Sequence, residues 1–304
     1  MNISPSQPVR ARAHDGPAPA RAAAPPPPPA APPGGLARLR GRLGLRARGR
    51  LARRLRGWGF LALLLVLWEI AGRQDTTGLL PPVGDVLKEV GTIVTGDGLT
   101  RDVLPSIARA LAGFAAGSVV GILLGVALGW WRWLDPWLRP SLEFLRAVPP
   151  PALVPLAVVA FGASTPLRIA VIAAGTCWPV LLSTTDGVRR VEPGFVETAR
   201  VYTPGGSLTV LRRVVVPAAL PQIMNGLRIG LAVSLIVMVI SEMVASSSGL
   251  GFLILQSQRM YAMTPMYAGV LLLALAGWLL TLTFSAVERR ALSWFDGMKG
   301  RDHD

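Results

Sequence analysis

Ionisable side chains are scarce in the apolar parts of this 304-residue chain, so each one that occurs there is informative. Glu242 lies in "VISEMVASSSGLG", with Ser241 beside it and Ser246, Ser247 and Ser248 after it. A carboxylate inside a long apolar run is costly unless paired or hydrated, so Glu242 faces protein or a water-filled path. Two roles stay open for Ser241 and Glu242: a structural pairing, or a place in a translocation path or its gate. Glu69 lies toward the end of its own run, where it can reach the interface. Both histidines, His14 and His303, are in the tails, which removes a Ser/His or Cys/His catalytic set and a histidine-based metal site from the body. The two lysines, Lys88 in "VLKEV" and Lys299 in "GMKGR", do not complete the Gly-Lys-Ser/Thr ending of a phosphate-binding loop. The single cysteine, Cys177, excludes a disulfide framework.

A second concentration of chemistry is "VETARVYTPGGSLTVLRRVVVPAALP", Val196 to Pro221. It reads as a short helix with Glu197 near its positive end and the small Ala199 open to close contact. Pro204, Gly205 and Gly206 end that helix and turn the chain. Arg212 and Arg213 hold the interface, and Pro217 and Pro221 set the entry into the next apolar run. A stiff element of this kind, braced at both ends, can pass a push from an outside partner into the membrane. An interfacial loop with accidental order is the other reading.

The elements around these residues follow from charge-free runs. Ala110–Trp131, Ala147–Leu167 and Met260–Val287 contain no charged residue over 22, 21 and 28 positions. Roughly 20 apolar helical residues cross a bilayer, so the chain is a membrane protein. Six spans are expected: about Trp58–Gly72, Ser106–Trp130, Pro150–Phe161 with its approach, Leu167–Thr185, Gln222–Ala245 and Met266–Val287. Pro149, Pro150, Pro151 and Pro155 break regular helix around the third.

The net charge of +14 is concentrated at one end: residues 1–57 carry +11 and the remainder +3. Arginine before a first span fits the positive-inside rule and anionic lipid headgroups, and the tail lacks the aromatic partners that nucleic-acid binding wants. Residues 1 to about 35, rich in proline and alanine, cannot form a core, and Leu36–Arg56 suits a helix lying on headgroups. Arginine-rich connections follow spans two, four and six, whereas Arg73–Pro105 holds five acids against three bases. Both termini and the Val196–Pro221 stretch are therefore cytoplasmic.

Span two repeats glycine at intervals of four: Gly113, Gly117, Gly121, Gly125 and Gly129. Such a stripe lets a second helix backbone come close. Packing within one subunit, a dimer interface and a pathway lining all remain open uses for it.

The Val196–Pro221 stretch resembles the EAA loop of ABC-transporter permeases. Glu197-Thr198-Ala199 stands for the Glu-Ala-Ala start, and Val215-Val216-Pro217 for the hydrophobic-proline end. Thr203 occupies the position where the pattern has glycine, and Pro217 comes one residue late, so Gly205 or Gly206 takes over that turn. The resemblance extends over Leu80–Trp294 through "LPPVGDVL", "SIARALAGFAAGSVVGILLGVALG", "LEFLRAVPPPALVPLAVVAFG", "GVRRVEPGFVETAR" and "SEMVASSSGLGFLI", in the order of the nitrate/sulfonate/taurine branch.

The resemblance implies an all-α polytopic protein of the bacterial inner membrane with the type I importer permease fold. Its parts would be a disordered tail (1–56), a first span with the start of an external segment (57–79), a permease domain (80–295) and a C-terminal tail (296–304). The coupling loop would run over 192–217, with Glu197, Thr198, Ala199, Arg200, Gly205, Gly206 and Pro217 meeting an ATPase. Implied partners are a cytoplasmic ABC ATPase dimer, an extracytoplasmic solute-binding protein and a second permease copy forming a homodimer, with no nucleic acid. ATP and Mg would reside on the ATPase; this chain would hold no cofactor and hydrolyse nothing. The cargo would be a small solute such as a sulfonate, taurine or nitrate. Two rivals are an ion- or proton-coupled carrier using Glu242, and a scaffold whose basic tail binds a polyanion.

Overall fold

The computed structural model describes residues 59–293. The expected disordered tail, the headgroup helix at Leu36–Arg56 and the C-terminal tail lie outside the described residues. Within the described residues the chain is all helical. Helix α1 covers residues 59–74. It is followed by α2 (Val83–Thr95), a π turn (Leu99–Val103) that runs into α3 (Leu104–Trp130), α4 (Asp135–Ala147) and α5 (Pro150–Phe161). Then come α6 (Thr165–Arg189), α7 (Pro193–Tyr202), α8 (Gly206–Val210), a second π turn (Leu211–Val215), α9 (Val216–Ala245), α10 (Leu250–Arg259) and α11 (Met263–Ala291).

Among the described residues, four helical stretches are long and apolar enough to cross a membrane: Leu99–Trp130, Thr165–Arg189, Gly206–Ala245 and Met263–Ala291. The third expected span is a broken pair. Arg132–Ala147 and Pro150–Phe161 meet at 83°, and together they would make a fifth crossing. The cause is local: Val148 and Pro149 are extended, because a residue before proline is pushed out of the helical region. The described part of α1, residues 59–74, is shorter than the roughly 20 residues a bilayer core takes. The sequence reading missed α2, α4 and α10, each too short to register as a span.

Helix α6 is the central column. It starts where the Ser164 hydroxyl accepts from the Leu167 N–H at 3.4 Å, with proline in its first turn. On one side it lies parallel to α3, and the five glycines of α3 meet it in constant register. A Cβ at Gly113 would sit 2.5 Å from Ile172 Cβ; at Gly121, 2.8 Å from the Cys177 carbonyl; at Gly125 and Gly129, 2.6 Å from Thr184 and Val188 Cβ. Gly117 faces the Ala173 carbonyl and Thr176 in the same way. The spacing of four on α3 is answered by 172, 176, 180, 184 and 188 on α6. With little hydrophobic drive between helices in lipid, such close backbone approach supplies the packing. On its other side α6 runs antiparallel to α9, where Gly226 and Gly230 admit Ser183 and Thr176.

Three apolar clusters fill the body. One joins α3, α5, α6 and α9 around Ile172 and Met238. A second, around Val86, Leu250 and Ala268, binds α2 and α10 to α11. The third, around Val188, Leu211 and Val215, lies where α6 ends and α9 begins. The first residues of α3, α6 and α11 and the last of α9 thus share one end of the bundle, and α7 lies at the opposite end. By the distribution of arginine the α7 end is cytoplasmic and the other is the outer end.

Candidate functional site

At the cytoplasmic end, α7 has no buried residue. Glu197, Thr198 and Arg200 are exposed and Ala199 is half-buried. Its contact with the bundle runs through Val196, which joins Val191 on the cluster around Val188, Leu211 and Val215. Phe195, Val201 and Tyr202 are exposed, the last two by 80% and 81%. The helix begins at Pro193 after Glu192, so Glu197 lies in mid-helix and not at the positive end where sequence reading set it. Thr203 caps the helix at φ −104°, an ordinary backbone conformation, and its N–H donates to the Ala199 carbonyl at 2.8 Å. The left-handed turn falls instead on Gly205 (φ 120°) and Gly206 (φ 79°). A β-carbon at Gly205 would also lie 2.6 Å from Thr209 Oγ1.

Pro217 lies in the first turn of α9, yet that helix runs on from the turns before it without a break. The stretch Gly206–Ala245 is helical throughout, over 40 residues. The π turn at Leu211–Val215 absorbs the proline, since Val216 donates one residue further back, to Leu211. Wider hydrogen-bonded turns of this kind accommodate an interruption that an α-helix would answer with a kink. Also at this end, Arg189 of α6 reaches Asp135 of α4 at 2.9 Å. The two helices enclose a cavity of about 250 Å³ whose charged lining is balanced: Asp135, Glu143 and Asp186 against Arg139, Arg146 and Arg189.

At the outer end a polar cluster is closed around Glu242, which is fully buried. Its Oε1 accepts from Arg109 Nη1 at 2.6 Å, and its Oε2 from the Gly251 N–H at 3.1 Å. Ser106 Oγ lies 2.7 Å from Oε2 and itself accepts from the Leu250 N–H at 2.8 Å. Asp102 Oδ1 takes the Gly249 N–H at 2.8 Å. These acids occupy the N-terminal end of α10, where free N–H groups and the helix dipole favour negative charge. Arg109 further donates to the Ser248 carbonyl and hydroxyl at 3.0 and 3.1 Å. Gly249, at φ 119°, leaves no room for a side chain against the Glu242 carboxylate. Ser241 is buried but stays apart from this network, its hydroxyl donating to the Met238 carbonyl at 2.8 Å.

Arg168, from the first turn of α6, joins the same serine turn: its Nη1 donates to Ser246 Oγ at 2.7 Å. Sequence reading assigned no role to Arg109, Arg168, Asp102 or Ser106. The available signal was physical. Glu242 must be paired if buried, and Arg109 is the cation that opens the long charge-free run of span two. Glu69 has local partners, Arg73 Nε at 2.7 Å and the Gly84 N–H at 3.0 Å.

An all-helical body with long apolar, glycine-packed helices defines a polytopic membrane protein. Residues 117–293 match the family model "Binding-protein-dependent transport system inner membrane component", and the chain belongs to that family. It is 33% identical over 243 residues to the putative aliphatic sulfonates transport permease protein of Escherichia coli, covering 79% of this chain and 92% of that one. It is 34% identical over 256 residues to the taurine transport system permease protein of the same organism, covering 78% and 88%. The bicarbonate transport system permease protein of Synechococcus elongatus is 32% identical over 236 residues, covering 74% and 84%. Among solved structures, the inward-facing MetNI methionine ABC transporter superposes with a TM-score of 0.56 at 20% identity, over 64% of this chain and 95% of that one. The protein is thus a multi-pass inner-membrane permease subunit of a binding-protein-dependent ABC importer. Its family is non-catalytic and carries no cofactor of its own.

Proposed function

We propose that this chain forms the translocation path of an ATP-driven importer for a small anion of the sulfonate, taurine or bicarbonate kind, and that α7 is where the ATPase engages it. The observation that carries the reading is α7 itself: a ten-residue helix with no buried residue, tied to the bundle at a cluster shared by α6 and α9. A helix largely free on its surface, yet anchored to the bundle at Val196, is a surface made for a partner. Glu197, Thr198, Ala199 and Arg200 would contact the ATPase. Gly205, Gly206 and Pro217 would hold the return path in shape. Closure of two ATPases would move α7, and the cluster beneath it would pass that displacement to α6 and α9 together. Two copies of this chain would enclose the path, and an extracytoplasmic binding protein would deliver the solute.

The rival carrier mechanism needs Glu242 to exchange protons or ions with water during each cycle. Its carboxylate is instead held by an arginine, a serine and a backbone N–H inside a closed cluster, which favours the pairing role. The test is reconstitution of the chain with its ATPase and binding protein in proteoliposomes. Uptake is expected to require ATP and both partners, and to be indifferent to a collapsed proton gradient. Uptake by this chain alone, driven by a gradient, would overturn the reading.

A further inference from the structure

Helix α4 carries its charges in one stripe, Asp135, Arg139, Glu143 and Arg146, at helical spacings of three and four. The stripe lines the cytoplasmic cavity of about 250 Å³ shared with α6. No residue of α4 is buried, so the helix stands off α6 instead of packing on it. Most of the cavity's charges answer one another: Arg189 meets Asp135 at 2.9 Å, and Arg139 meets Glu143 at 3.0 Å. Two do not. Among the described residues neither Arg146 nor Asp186 forms an ion pair, although both line the cavity. Arg189 also has a buried Nε without a hydrogen-bond partner. The cavity is thus left with one spare cation, one spare anion and a spare donor.

A second space, of about 310 Å³, adjoins the first between α3, α4 and α6. Leu142, Trp178 and Leu181 line both. The second space has no charged side chain in its lining, and Gly117, Val120 and Cys177 form part of its wall. Along α6, residues 173, 177, 181, 185 and 189 recur at four and join the two spaces into one track. From Ala173 to Arg189 that track runs about 24 Å at 1.5 Å per residue. Val120, Leu124 and Leu145 of the apolar part are exposed, so it opens outward and not into the bundle. Trp133 and Trp137, beside it at the cytoplasmic end, are exposed as well, and tryptophan gathers at headgroup level.

We propose that this track binds a phospholipid of the inner leaflet whose headgroup carries both a phosphate and a primary ammonium. Arg146 and the free Nε–H of Arg189 take the phosphate, which guanidinium donors bind well. Asp186 takes the ammonium, and an acyl chain fills the apolar part. A charged pocket continuous with an apolar slot fits an amphiphile, and pockets between membrane helices at the cytoplasmic side are where headgroups are recognised. The sign of the spare charges selects the headgroup. A purely anionic lipid would leave Asp186 facing a like charge, and a choline has no N–H to give it. A second copy of this chain laid over the slot would leave Arg146 and Asp186 unanswered. The site is independent of what the permease transports.

The test uses the purified importer complex, stripped of lipid in detergent and then given equal amounts of phosphatidylethanolamine, phosphatidylcholine and phosphatidylglycerol with the same acyl chains. Retained lipid is counted by native mass spectrometry. The wild type is expected to hold about fivefold more phosphatidylethanolamine than either of the others. Arg146→Gln combined with Asp186→Asn touches no ion pair of the structure, so it should assemble and lose that preference. Ala174→Phe, from an exposed position on the slot, should lower retention of all three lipids. Cys177 is the chain's single cysteine and lines the slot. Its alkylation by N-ethylmaleimide, read on its own peptide, should slow about fivefold when phosphatidylethanolamine is added.

Equal retention of the three lipids overturns the headgroup assignment, and so does a preference for phosphatidylglycerol. A phosphatidylethanolamine preference that survives the double variant, or Cys177 alkylation that ignores added lipid, puts the lipid elsewhere and overturns the site. Cys177 already shielded in the stripped complex, with crosslinks from the slot to a second permease copy, overturns it in favour of that copy. Should the double variant fail to assemble, Ala174→Phe and the Cys177 rates decide alone.

Discussion

At Glu242, burial of a charge is offset by donors drawn from two other elements: Ser106 and Arg109 of α3 and the Gly251 N–H of α10. The pair is almost wholly dry, at 9% and 0% side-chain exposure. Breaking one side leaves the other charge buried alone. Arg109→Ala is expected to destabilise the purified permease–ATPase complex by about 3–5 kcal/mol in chemical unfolding. Arg109→Met combined with Glu242→Leu should recover most of that loss, because an apolar pair leaves nothing unpaired. If the double variant is as damaged as the single, the cluster does more than neutralise itself. Little of this was legible in the sequence. Glu242 and its serines stood out, but Arg109 lies 133 positions away, and no local pattern links them. Only the demand that a buried carboxylate find a cation could have joined the two.

Elements were legible to the extent that their signal is local. Charge-free runs gave the long spans, and glycine at intervals of four marked the face of α3 that meets α6. The elbow between α4 and α5 was legible only as a warning, because prolines announce a break without its angle. The π turn before α9 was not legible, since its cause, Pro217 inside a continuous helix, reads equally well as a helix start. Two substitutions separate packing from backbone strain. Gly121→Leu places a branched side chain against the Cys177 carbonyl and should abolish recovery of a monodisperse complex while leaving membrane insertion intact. Gly206→Ala meets no neighbour but forces an L residue to φ 79°. It should cost only about 1–2 kcal/mol, read as a lowered melting temperature. Equal behaviour of the two variants would mean that the α3–α6 seam tolerates separation.

At the scale of the molecule, one helical run connects the cytoplasmic and outer ends. Gly206–Ala245 spans 40 residues, about 60 Å at 1.5 Å per residue. Its first turns sit over the cluster that anchors α7, and its last residues carry Glu242 into the outer ionic cluster. A displacement of α7 therefore has a direct route to the outer end, through α9 and the α6 column packed against it. Under the proposed function, work enters this permease at α7. The most direct measurement is the number of ATP molecules hydrolysed per solute imported by the reconstituted importer carrying Glu197→Lys or Ala199→Trp. The account predicts assembled complexes that still hydrolyse ATP but import at a tenth of the wild-type rate or less, about 1.4 kcal/mol or more of lost coupling. Wild-type uptake per ATP in both variants would contradict it.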